Sequence, residues 1–280
     1  MTFSSLIHTP CTASAMGTPS AQSEWDSIRR KASAEGIKIL FIGDSLTYYN
    51  EMPQIFAQLC RAAGKNVTAE RQTKGGTGIA MFLEDAELRQ AVSDKISSDR
   101  WDIIVYQPIR NQSVMIEYFP DYPWKEYCAA RTLVDLIKAN GAVPLQYASF
   151  GVNKGSVTRS GRTKYMSRIE HTNLVTEYNA AVAEMLGSKV VYTGETFNRL
   201  FDEDPTIGLY YTDNSHPSLA GSYLIAADFY TVIFGESPAN IDYTHGLDGK
   251  LAAALRSVAA DLLTFTPTAK ATLKCPKETE

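Results

Sequence analysis

Ser45, His216 and Asp213 are the residues whose types and spacing could do chemistry together. Ser45 stands in Gly43-Asp44-Ser45-Leu46-Thr47, directly after the apolar run Ile37-Lys38-Ile39-Leu40-Phe41-Ile42. A serine hydroxyl attacks poorly until a base takes its proton, and the base needs a third group to orient it. His216, in Asp213-Asn214-Ser215-His216-Pro217, carries an imidazole that can accept that proton and return it to a leaving group. Asp213, three residues earlier, can hold the ring in the required tautomer. Taken singly, Ser45 reads as a turn cap and Asp213 as a helix cap. Taken together, they suit nucleophilic attack on a carbonyl. His8, His171 and His245 have no such context and are expected to be structural or exposed.

The elements around these residues alternate. Short β-rich runs fall at Ile37–Ile42, Val67–Arg71, Ile103–Gln107, Val143–Ala148 and Lys189–Thr193. Helical patterns fall at Met52–Ala63, Met81–Lys95, Trp124–Ala139, His171–Leu186, Leu219–Phe234 and Leu251–Leu263. Strands separated by helices imply a parallel sheet covered on both faces, with ligands gathered at the strands' carboxyl ends. Ser45 falls at one such end. Residues 1–33, rich in Ser, Thr, Ala and Pro, read as a flexible lead-in. Residues 34–265 form the α/β domain, and 266–280 a polar tail that frays. Two connections are long. Pro108–Pro123 carries Tyr118, Phe119 and Tyr122, while Phe150–Arg168 carries Lys154, Arg159, Arg162, Lys164 and Arg168. Both follow strand ends, so both are expected over the site. The basic stretch reads as a solvated mobile loop, with recognition of an anionic ester or sugar acid as the alternative.

The early Gly-Asp-Ser block paired with a late Asp-x-x-His resembles the SGNH (GDSL-type) hydrolases, over about residues 37–235. The resemblance implies a three-layer α/β/α sandwich, flavodoxin-like, with a parallel sheet of about five strands. It also implies a serine ester hydrolase working through an acyl-enzyme, with Ser45, His216 and Asp213 as its triad. The oxyanion would be held by the backbone N–H of Ser45, by Gly76 in the turn Gly75-Gly76-Thr77-Gly78, with Gly75 as the competing choice, and by a carboxamide after the third strand. There the sequence departs from the family: Gln107-Pro108-Ile109-Arg110-Asn111-Gln112 stands in place of Gly-x-Asn-Asp. Gln107 and Asn111 both offer an N–H₂ donor. Gln107 is favoured because a strand end is the more rigid platform. No cofactor or metal is implied. The substrate class is a small-molecule ester with a short, acetyl-type acyl group, carbohydrate esters among the candidates. A lipase-like or thioesterase activity, or a weakly catalytic ligand-binding protein of the same fold, are the other readings.

Composition narrows the classes further. A net charge of −4 gives no footprint for nucleic acid, and no run approaches a membrane span. Met1–Ser23 lacks the basic start and apolar core of a secretory signal, so a cytoplasmic location is the default, with secretion left open. Cys11, Cys60, Cys128 and Cys275 show no metal-ligand spacing and read as reduced thiols, buried where they fall in helices. The oligomeric state stays open.

Overall fold

The structure is a computed structural model that describes residues 21–273. Its first element, α1 (Ala21–Ala34), corrects the expected lead-in. Trp25, Ile28 and Ala32 recur at helical spacing and are all buried, so residues 21–33 are anchored to the core. His8 and Cys11 lie outside the described residues, as does Cys275.

Strand β1 (Ile37–Gly43) is buried on both faces. Ile37, Ile39 and Phe41 enter one apolar cluster, while Leu40 and Ile42 enter another on the opposite face. That alternation is the signature of a strand sandwiched between helix layers. It leads into α2 (Ser45–Tyr48), then α3 (Met52–Ala62) and β2 (Val67–Thr73). Next come α4 (Ile79–Glu84), α5 (Ala86–Ser97) and β3 (Ile103–Tyr106). The sequence pattern gives one helix over Met81–Lys95; instead Asp85 ends α4 and caps α5 by accepting from the N–H groups of Glu87 and Leu88. Helix α6 (Tyr122–Asn140) and β4 (Val143–Ala148) follow.

The basic segment is not a solvated loop but an antiparallel hairpin, β5 (Ser156–Arg159) and β6 (Arg162–Tyr165). Ser160 and Gly161 both take positive φ, 48° and 75°, as a tight two-residue hairpin turn requires. Four-residue strands of mostly polar residues leave little trace in hydropathy. Three of the charges have partners on the 108–123 connection: Arg159 donates to the Tyr122 hydroxyl at 2.6 Å, Arg162 lies over the Tyr118 ring, and Lys164 pairs with Glu117 at 2.8 Å. Val114, Met115, Val152, Val157 and Met166 form a small core between the hairpin and the 108–123 connection. The two long connections thus brace one another.

Beyond the hairpin run α7 (Arg168–Leu186), β7 (Lys189–Tyr192), α8 (Thr193–Glu203), α9 (Leu219–Phe234) and α10 (Gly249–Ala259). The main sheet is parallel throughout, in the order β2-β1-β3-β4-β7. Counting only its own strands, this is the 2-1-3-4-5 winding of flavodoxin-like folds. Residues of α1, α3, α8, α9 and α10 pack with one face, and those of α4, α5, α6 and α7 with the other. The chain is therefore a three-layer α/β/α sandwich. The segment after α10 is held along its described length. Phe265 meets Tyr192 edge-on, Lys270 pairs with Glu184, and the Ala271 N–H donates to the Glu177 carbonyl. Among the described residues no helix is long and apolar enough to cross a membrane.

Candidate active site

The site is built where β1 ends. Asp44 leaves the strand in extended conformation and caps α2, its Oδ1 accepting from the Leu46 N–H at 2.9 Å. Ser45 is the first residue of that helix, so its own N–H has no intrahelical acceptor. It is only 8% exposed, less open than a strand-end serine suggests. Gly43 has no room for a side chain. A Cβ there would lie 2.5 Å from Thr47 Oγ1 and 2.8 Å from Gln107 Oε1.

Ser45 Oγ lies 2.9 Å from His216 Nε2, and His216 Nδ1 lies 2.5 Å from Asp213 Oδ2. An imidazole donating from Nδ1 to the carboxylate leaves Nε2 free to accept the serine proton. The other carboxylate oxygen, Asp213 Oδ1, accepts from the backbone N–H groups of Ser215 and His216, both at 2.9 Å. Burial by itself would raise the Asp213 carboxyl. The hydrogen bonds from the His216 ring and from these two backbone groups, with the His216 charge, bring it down from 3.8 to about 2. Asn214 turns the chain between them at φ 56°.

Residues that the sequence did not single out shape the same place. The Tyr49 ring stacks on the His216 imidazole, with centroids 4.2 Å apart and planes 8° from parallel. Asn50 and Glu51 both take left-handed φ, 51° and 54°, an uncommon pair for residues other than glycine. Asn50 is fixed there because its Nδ2 donates to the Pro217 carbonyl at 3.0 Å and to Ser222 Oγ at 2.9 Å. The N-terminal block is thereby tied to the residue after His216. No composition or period signal marks either contact.

The two carboxamides part company. Gln107 is fully buried beneath the nucleophile. Its Nε2 donates to Asp44 Oδ1 at 2.7 Å, and its Oε1 accepts from the Thr47 hydroxyl at 2.6 Å and the Asp44 N–H at 3.3 Å. This amide holds the nucleophile turn from below, against the preference given to Gln107 by sequence. The side chain of Asn111 makes no hydrogen bond to the described residues, and its Oδ1 is buried without a partner. Gly76 takes φ 67° in an exposed turn. The turn reaches the nucleophile helix, since a Cβ on Gly75 would lie 2.9 Å from the Tyr48 hydroxyl.

Glu126 links the two loops. Buried on α6, its Oε1 accepts from the N–H groups of Ile79 (2.8 Å) and Ile109 (2.9 Å), and its Oε2 from that of Ala80 (3.0 Å). Burial raises its carboxyl, and the three N–H donors oppose that rise. His171 is fully buried and structural: its Nδ1 accepts from the Val152 N–H, and burial holds its pKa down to about 3. His245 contacts the Tyr243 hydroxyl through Nδ1. Cys60 is buried, and Cys128 is half-buried.

Among solved structures, a DUF4886-family protein from Bacteroides uniformis matches with a TM-score of 0.68 at 15% identity, over 84% of this chain and 98% of its own. A protein from Slackia heliotrinireducens assigned to the SGNH hydrolases matches with a TM-score of 0.56 at 24% identity, over 71% of this chain and 100% of its own. An acetyl xylan esterase matches with a TM-score of 0.52 at 13% identity, over 70% of this chain and 98% of its own. No protein-family model matches the sequence, and no curated protein is significantly similar to it. The likeness at these identities is one of architecture: the chain has the SGNH-type hydrolase fold.

Proposed function

We propose that the protein is a serine ester hydrolase that acts through an acyl-enzyme on esters of short, acetyl-type acids. The observation that carries this reading is the continuous chain from Ser45 Oγ through both nitrogens of His216 to Asp213, at 2.9 and 2.5 Å. Ser45 Oγ attacks the ester carbonyl carbon while its proton passes to His216 Nε2. The carbonyl electrons move onto oxygen, and the tetrahedral intermediate then collapses. The alcohol leaves with the proton from His216, and the acyl group stays on Ser45. Water repeats the sequence, delivering its proton to His216 and releasing the carboxylic acid as Ser45 is restored.

The developing oxyanion is assigned to the N–H groups of Ser45 and Gly76 and to the Asn111 amide. Asn111 is chosen over Gln107 because the Gln107 carboxamide is committed to Asp44 and Thr47. The residues adjoining the triad are aromatic and polar, namely Tyr48, Tyr49 and Tyr211, which supports a short acyl group over a fatty chain. That one fold neighbour is an acetyl xylan esterase is compatible with a carbohydrate as the alcohol.

Hydrolysis of nitrophenyl acetate, together with fluorophosphonate labelling, tests the reading. Wild type is expected to turn over and to label at Ser45, and Ser45→Ala to do neither. Turnover by Ser45→Ala at the wild-type rate overturns the assignment. Nitrophenyl esters of rising chain length are expected to lose kcat/KM beyond short acids; a preference for long chains selects the lipase-like alternative.

A further inference from the structure

Arg110 occupies the segment where the sequence departs from Gly-x-Asn-Asp. Its side chain is buried, at 8% exposure, and burial weakens its hold on its proton. Asp44 and Asp213 act on it only through space, without a direct ion pair. Such a cation is costly to bury and does not stabilise a fold by its charge alone. Its Nε is buried without a partner, and its two Nη groups are directed chiefly to Ser215. Nη1 donates to the Ser215 carbonyl at 3.0 Å and Nη2 to Ser215 Oγ at 2.7 Å, while Nη1 also reaches the Phe150 carbonyl at 3.4 Å. The guanidinium lies 5.8 Å from the centre of the Phe150 ring.

We propose that Arg110 is a positioning residue for the triad, clamping Ser215 to the segments that follow β3 and β4 and thereby holding Asp213 and His216 at their working distance from Ser45. The inference rests on the serine-hydrolase reading. Ser215 sits between Asp213 and His216, and its own N–H is taken by Asp213 Oδ1. The loop also contains the left-handed Asn214, a conformation that persists only when its surroundings hold it. Asn153 supplies one tie, its N–H donating to the Asn214 carbonyl at 2.8 Å. Arg110 supplies a further tie, from a planar fork that reaches both the main chain and the side chain of Ser215. A lysine has one nitrogen with tetrahedral donors and cannot span both atoms and Phe150 in that geometry.

Three variants test the clamp: Arg110→Lys, Ser215→Ala and the two combined. The readouts are kcat and KM on nitrophenyl acetate, the second-order rate of fluorophosphonate labelling, and the thermal midpoint. Arg110→Lys is expected to lower kcat and the labelling rate together by about 10- to 100-fold, as a misplacement near 1 Å would, with little change in KM. Ser215→Ala, which removes only the Oγ contact, is expected to lose about three- to tenfold. The double variant is expected to fall no further than Arg110→Lys, because both changes break the same link. Wild-type kcat and labelling in Arg110→Lys overturn the clamp, as does a double variant that loses the full product of the single effects. If Arg110→Lys does not fold, Ser215→Ala decides alone, and wild-type activity there overturns the clamp. Ser45→Ala, assayed alongside, separates the two claims. Turnover there sinks the hydrolase reading itself, whereas an inactive Ser45→Ala beside a fully active Arg110→Lys sinks only the clamp.

Discussion

The Tyr49 ring covers one face of the His216 imidazole, 4.2 Å away and 8° from parallel. Tyr49 comes four residues after Ser45, so the stretch that delivers the nucleophile also fixes the plane of its base. The left-handed pair Asn50-Glu51 follows directly, with Asn50 anchored on Pro217 and Ser222 beside the same base.

Removing the ring should therefore loosen the base without removing it. Tyr49→Ala is expected to lower kcat on nitrophenyl acetate by about tenfold, through loss of alignment between Nε2 and Oγ. Tyr49→Phe keeps the stack and should stay within about twofold of wild type. Equal losses in the two variants would show that the hydroxyl, not the stacked ring, matters.

The pH dependence follows from Asp213. Its folded pKa of about 2 lies below the ordinary carboxyl value of 3.8, so its ionised form adds to stability above about pH 4. That contribution fades as the pH falls toward 2. Across pH 5 to 8 the carboxylate therefore stays charged. Asp213→Asn keeps the size of the group but not the tautomer it imposes, and should cost on the order of 10⁴ in kcat. An Asp213→Asn variant with full activity would contradict the triad.

Asn111 and Gln107 make opposite predictions. Asn111→Ala removes the amide assigned to the oxyanion and should lose roughly 10²–10³ in kcat with little change in KM, since that bond strengthens only in the transition state. Gln107→Ala removes the buried link between Asp44 and Thr47, so it should lower the thermal midpoint first and activity as a consequence. Kinetics and melting of the two variants side by side decide between them. A stable but inactive Gln107→Ala would return the oxyanion role to Gln107.

Much of this architecture is legible in the chain because its signals are local. The alternation of Ile37, Ile39 and Phe41 with Leu40 and Ile42 reads as a two-sided strand before any contact is known. Helix α9 appears with the bounds its apolar run gives. Other parts have no local signal. Helix α1 hides behind a composition rich in small polar residues, though Trp25, Ile28 and Ala32 keep helical spacing. The β5–β6 hairpin owes its order to Tyr118, Tyr122 and Glu117, which lie far from it in sequence. At the site, the three chemical groups are legible as types. Tyr49 on His216, Arg110 on Ser215 and the committed amide of Gln107 depend on how strand ends converge, and no spacing rule encodes that convergence.

Glu126 gives the last prediction. One buried carboxylate accepts from Ile79 and Ala80, just after the Gly75–Gly78 turn, and from Ile109, between Gln107 and Asn111. Gly78 lets it come so close, because a Cβ there would lie 2.8 Å from Glu126 Oε1. Both loops assigned to the oxyanion thus share a single anchor. Glu126→Ala leaves three buried N–H groups without an acceptor, at about 1 to 3 kcal/mol each before water enters, so a loss on the order of 3 kcal/mol in folding stability is expected by denaturant titration. Glu126→Gln replaces one accepting oxygen with a donating N–H₂ that faces another N–H, and should weaken the anchor less than alanine while still separating the loops. Its kcat should fall more than its KM rises, because the separated donors act on the transition state. Wild-type stability in Glu126→Ala would show that these backbone groups find other partners and that the two loops are positioned independently.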